Sequence, residues 1–135
     1  MKRKTKIILA IGALILVGLV IIGVRVFSSF QKYQAAVSDV VFEHMDASGL
    51  ADGVYTGEYD ATIVYAKVEV TVRDEKIADI NILEHRNGRG ASAEGIVAEI
   101  VSRQRLDVDE VSGATNSSTV LKKAVDNALT SAGVL

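Results

Sequence analysis

The chain has 135 residues, room for one domain and an appendage. It contains no cysteine, which excludes disulfides, a lipoprotein anchor, cysteine-ligated iron–sulfur clusters and c-type haem attachment. Five of its 15 Lys and Arg fall in residues 1–27, leaving ten against 17 Asp and Glu, a net of −7, from residue 28 onward. Such an acidic balance argues against nucleic acid and against docking on anionic lipid.

Residues 1–6 carry Lys2, Arg3, Lys4 and Lys6 with no acid, and residues 7–24 are 18 consecutive uncharged residues, mostly aliphatic. A helix rises about 1.5 Å per residue, so roughly 20 such residues cross the hydrocarbon of a bilayer. Arg25 interrupts the run only at its end, where a long cation snorkels to the headgroups. The expectation is a cytoplasmic basic tail (1–6), a transmembrane anchor (7–27) and an extracytoplasmic remainder, because positive charge precedes the span. A cleaved signal peptide is the alternative; its apolar region is shorter, and the nearest small-x-small site, Val26-Phe27-Ser28, is poor. A buried core helix is disfavoured because the run is apolar on every face.

Residues 28–50 read as a helical spacer. Phe30, Tyr33, Val37, Val40, Val41 and His44 recur at helical spacing, and Phe30 and Tyr33 suit the interfacial belt. Ser48-Gly49 and Asp52-Gly53 then punctuate the chain.

Residues 54–85 have strand character. Val68, Val70 and Val72 alternate with Lys67, Glu69, Thr71 and Arg73, Asp74-Glu75-Lys76 makes a polar turn, and Ile80 and Ile82 resume a period of two. Residues 85–90 form a loop. Ile96, Val97, Ile100 and Val101 then place a helix over about 92–104. A last helix begins with Asn116 or Ser117 as N-cap, carries Val120, Leu121, Ala124, Val125, Ala128 and Leu129 as its apolar stripe, and has Gly133 as its C-cap. Residues 51–135 are thus one α+β domain, an antiparallel strand meander with helices packed on one face.

The segment Ser112-Gly113-Ala114-Thr115-Asn116-Ser117-Ser118 is small, hydroxyl-rich and lies at a helix start. Small residues admit a close ligand, and the unpaired N–H groups of a first turn suit a phosphate. From the residues alone, a plain turn with a good N-cap is the favoured reading.

Asp109-x-x-Ser112-Gly113-Ala114-Thr115 resembles the flavinylation motif of the FMN-binding domain family, which includes the FMN-carrying subunits of sodium-pumping NADH:quinone reductases and Rnf-type complexes. Asp52-Gly53-x-Tyr55-x-Gly57 is similar to the family's opening strand, and His85-x-Asn87-Gly88-x-Gly90-x-x-Ala93-Glu94 to its middle loop and helix start. Gln104-x-Leu106-Asp107-Val108-Asp109 leads into the motif as in family members. Where the larger subunits carry an acid-Thr-Pro-Gly-type loop, this chain has Arg86-Asn87-Gly88-Arg89-Gly90, as the shorter relatives do.

The resemblance implies FMN joined through its phosphate to Thr115 by an FAD-dependent flavin transferase. It implies a cradle of Ser112, Gly113, Ala114, Asn116, Ser117, Gly88 and Gly90, with His85 beside the flavin. The implied role is a carrier that exchanges electrons with a membrane redox partner, such as a quinone-linked or flavin-linked reductase. The alternatives are an accessory FMN domain of a membrane reductase and a non-catalytic flavin-responsive sensor or assembly module. Asp109 serves the loop or a metal during transfer, or is a solvated loop acid. His85 is either a flavin contact or an exposed strand-end histidine, and Arg86 and Arg89 are phosphate partners or surface residues. Tyr55, Tyr59 and Tyr65 stack on the ring or fill strand positions. His44 reads as solvated, and two histidines this far apart without cysteine make no zinc site.

Overall fold

The computed structural model describes residues 2–88 and 90–133. The chain divides into two compact units, residues 1–32 and 33–135. The first is most of helix α1 (Lys2–Ser38), whose 18-residue apolar window is wholly exposed. This helix is long and apolar enough to cross a membrane, consistent with an anchor.

The second unit is a three-stranded antiparallel sheet in the order β1 (Gly53–Asp60), β2 (Tyr65–Arg73), β3 (Lys76–Arg86), with helices α2 (Ile96–Arg103) and α3 (Thr115–Gly133). A 3₁₀ turn, Ala91–Gly95, precedes α2, so the expected helix around 92–104 begins as a tighter coil. The expected α+β meander is what forms. Val68, Val70 and Val72 are fully buried and their neighbours Lys67, Glu69 and Thr71 half-exposed, as strict alternation requires. The apolar stripe of α3 is buried along its whole length against β1 and β2. That approach is close: a Cβ at Gly57 of β1 would collide with the Ala124 carbonyl and the Ala128 N–H, so only glycine admits the helix there.

β3 departs from simple alternation twice. Asp74 and Glu75 both take positive φ (51° and 57°), making a two-residue hairpin loop of the type that matches strand twist. One register shift then lies between Thr71 and Val72, so Ile77, opposite Val72, and Ile80, opposite Val70, both face the core despite a spacing of three. A second shift lies between Lys67 and Val68. It skips Leu83, turns Glu84 outward opposite Lys67, and brings His85 to the inner face opposite Ala66.

The 28–50 segment differs from the expected helical spacer. α1 ends at Ser38, and from there to β1 the chain is irregular and fastened to the domain. The buried Asp126 carboxylate of α3 accepts the backbone N–H groups of Glu43 (3.0 Å) and His44 (2.7 Å), and the Lys123 ammonium at 2.6 Å. The Met45 carbonyl accepts Leu106 N–H at 2.8 Å. His44, expected in solvent, is half-buried with Nδ1 3.3 Å from Thr130 Oγ1. Backbone hydrogen bonds made by 43–45 explain why helical periodicity does not continue there.

Candidate functional site

Residues 104–118 build the approach to α3. Gln104 ends α2 in the left-handed region (φ 58°), and its side-chain amide pairs with the Ile77 N–H and carbonyl at 2.8 and 2.7 Å, closing the end of β3. Leu106 and Val108 enter the core. The Lys122 ammonium, itself buried, donates to the Val108 carbonyl (3.0 Å) and to Glu110 Oε1 (2.9 Å). That hydrogen bond holds the Glu110 carboxyl below the usual range.

Val111 to Ala114 then make a turn closed by Ala114 N–H to the Val111 carbonyl at 2.9 Å. Gly113 takes φ +79° at its third position, the conformation such a turn asks of glycine. The Ala114 carbonyl accepts Ser118 N–H at 2.9 Å, so α3 begins at Thr115 and Ala114 occupies the N-cap position. Asn116 and Ser117, expected as caps, are the second and third helical residues instead. The helix entry is capped by an alanine, whose side chain satisfies none of the first-turn N–H donors. Thr115 is exposed, Asn116 half-exposed, and Ser117 and Ser118 are buried. At the other end, Gly133 is the last described residue of α3, so its expected capping role turns on residues outside those described.

This turn forms one wall of a cleft of about 430 Å³, within the size range of small-ligand sites. The turn and the start of α3 contribute Gly113, Ala114, Thr115, Asn116 and Ser117 to its lining, and the loop after β3 contributes Asn87, Gly88 and Gly90. The apolar lining is Tyr33, Ile63 and Val64. The two loops touch directly, since a Cβ at Gly90 would collide with Ser117 Oγ. Gly88 and Gly113 both take positive φ with open space around them.

Of the residues that the sequence singled out, seven share this cleft: Thr115, Gly113, Ala114, Asn116, Ser117, Gly88 and Gly90. Ser112 and His85 do not line it. His85 is not the exposed strand-end residue of the alternative reading: its side chain is 2 % exposed, with Nδ1 3.0 Å from Glu94 Oε1. Among the described residues its buried Nε2 has no partner, and Asn87, which does line the cleft, stands 3.3 Å from Nδ1. Asp109 is exposed, and among the described residues no three His, Cys, Asp or Glu gather to hold a metal. Arg89 lies outside the described residues. Arg86 bonds to Asp60 and the Thr62 carbonyl and lies over the Tyr65 ring.

The strand tyrosines are engaged elsewhere. Tyr55 donates to the Ala51 carbonyl, Tyr59 to the Ala36 carbonyl, and Tyr65 to the Glu58 carboxylate, which pushes its phenol up to about 12. The aromatic residue that does line the cleft is Tyr33, at the end of α1, together with the Ile63-Val64 pair of the β1–β2 connection. An apolar pair inside a short connection was the available signal for the latter, since turns are ordinarily polar.

A cleft lined by two glycine-bearing loops, an exposed hydroxyl at a helix start and three apolar side chains suits a phosphate-bearing ligand with an apolar body. The family model of the FMN-binding domain matches residues 65–130, and the chain carries a domain of that family, with FMN as its cofactor. The residues present fit that group. Unpaired first-turn N–H groups suit the phosphate, glycines at 88, 90 and 113 leave the wall without side chains, and Tyr33, Ile63 and Val64 suit an aromatic ring.

Proposed function

We propose that this chain is a membrane-anchored extracytoplasmic flavoprotein that carries FMN covalently on Thr115 and relays electrons. The observation that carries the reading is the placement of Thr115: an exposed hydroxyl, first in α3, on the wall of the cleft. Among the described residues, none hydrogen-bonds the Thr115 hydroxyl, whereas Ser118 is committed to the Val111 N–H. Attachment joins Thr115 Oγ1 to the flavin-side phosphorus of FAD as the pyrophosphate bond breaks. AMP leaves, and the hydroxyl proton goes to a base of the transferase.

The first turn of α3 then faces the phosphodiester with its N–H groups and partial positive charge. FMN supplies the reversible uptake and release of electrons; the chain supplies the tether, the cradle and the exclusion of water at the apolar end. Lys2, Arg3, Lys4 and Lys6 ahead of the apolar run favour an N-terminus in the cytoplasm and a domain outside, beside a membrane redox partner.

Protein purified from its own membranes and run on a denaturing gel tests this: the band should fluoresce as flavin, and a dark band from fully folded protein would contradict covalent attachment. Protease added outside intact cells, after removal of any wall or outer membrane, should digest the domain. Its protection would reverse the topology.

A further inference from the structure

The β1–β2 connection is held in an unusual conformation. Thr62 takes φ +75°, a left-handed backbone that a β-branched residue adopts only at a steric cost. Asp60 Oδ1 accepts the Thr62 N–H at 2.7 Å, and Ala61 N–H closes the turn onto the Val64 carbonyl at 2.9 Å. Arg86, from the end of β3, straps this turn: Nη2 lies 3.5 Å from Asp60 Oδ1 and 3.4 Å from the Thr62 carbonyl, and the guanidinium sits over the Tyr65 ring, 5.6 Å from its centroid. Strain of this kind persists only where its surroundings over-determine it, and it concentrates at ligand clamps.

Its consequence here is the position of Ile63. This side chain lines the cleft and is 45 % exposed, whereas the other two apolar lining residues, Tyr33 and Val64, are 8 % and 3 % exposed and have little surface left to cover. A ligand entering the apolar end therefore removes more area from water at Ile63 than at either neighbour.

The geometry points to Ile63 as the side chain that covers the isoalloxazine ring, and to Arg86 as a positioning residue that acts through the 60–64 turn. This rests on the reading of Thr115 as the attachment site: a phosphate held beside the small residues leaves the apolar lining to the ring. Arg86 is then a clamp on protein, not a partner of the phosphate.

The test uses full-length protein in detergent, loaded with FMN and checked for load by intact mass, so that failure to attach is seen separately. Iodide quenching and anisotropy of the flavin fluorescence are compared for wild type, Ile63→Ser, Arg86→Gln and the double variant. Each single variant should shift quenching toward that of free FMN and lower the anisotropy, with thermal midpoints of the unloaded proteins near wild type. Ile63→Phe should shield the ring at least as well as wild type. The double variant should be no worse than Ile63→Ser, because Arg86 acts through Ile63. Wild-type quenching in Ile63→Ser, or equal exposure in Ile63→Phe and Ile63→Ser, overturns the ring contact. Losses that add in the double variant overturn the positioning role. If wild type gains no mass, titration with FMN alone replaces quenching: weaker binding by Ile63→Ser is required, and equal binding overturns the proposal.

Discussion

Ser118 Oγ accepts the Val111 backbone N–H at 3.0 Å, across the turn that ends at Ala114. The bond ties the first turn of α3 to the strand of chain that delivers the Ser112-Gly113-Ala114 turn, and so sets where the helix begins. Ser118→Ala leaves that N–H without its acceptor at a half-buried position, which costs about 1–3 kcal/mol. Urea unfolding of the two proteins measures it, and a difference below about 0.3 kcal/mol would mean that the bond does not hold the turn.

The hairpin gives a paired test of which face is dry. Val70→Asp puts an unpaired carboxylate among Val68, Val72 and the α3 stripe, at a cost of several kcal/mol, on the order of 3 or more. Lys67→Asp, on the wet face, forfeits an exposed pair with Glu58 at 3.7 Å and sets a like charge opposite Glu58 and Glu84, and should cost about 1–2 kcal/mol. Comparable losses for the two would contradict the register.

Alternation in residues 67–73 and helical spacing in 120–129 were legible because one buried face repeats without interruption. The bulges of β3 were not, since an extra residue leaves no compositional mark; Ile82 was expected inward with Ile80, whereas Ile77 and His85 owe their inward positions to register shifts. The loops of the cleft were legible as a motif, yet its apolar end was not. Tyr33 lies on a helix whose periodicity pointed toward the membrane, and Ile63 and Val64 reach the cleft only through a strained turn. Nothing in the sequence marks Lys122 and Asp126 for burial, which follows from backbone partners more than 10 residues away in sequence.

Asp126 is the joint between α3 and the chain leaving α1. Asp126→Ala strands the N–H groups of Glu43 and His44 and leaves the Lys123 ammonium with the Val41 carbonyl but no carboxylate, a loss of about 3 kcal/mol or more. Hydrogen exchange at 43–45 should rise toward that of a free loop. Unchanged protection of those amides would show that another contact fastens the segment.

Glu110 carries a pH signature. Its carboxyl is held below its ordinary value by the Lys122 hydrogen bond, so in the folded state it releases its proton more readily than in the unfolded chain. The resulting stabilisation is fully present above the unfolded value of about 4.3 and is lost as pH falls through the lower folded value. Glu110→Gln removes it. The gap in urea midpoint between wild type and Glu110→Gln should therefore narrow from neutral pH toward about pH 3. A gap that stays constant over that range would contradict an ionic role for Glu110.

Attachment at Thr115 is tested most directly by intact mass after co-expression with an FAD-dependent flavin transferase. Wild type should gain one FMN less water, about 440 Da, and keep it through denaturation because a phosphodiester does not depend on folding. Ser112→Ala, Ser117→Ala and Ser118→Ala should still carry the adduct, and Thr115→Ser should retain some. Thr115→Ala should stay folded and carry none. A denaturation-resistant adduct on Thr115→Ala, or its absence from wild type, would contradict the account.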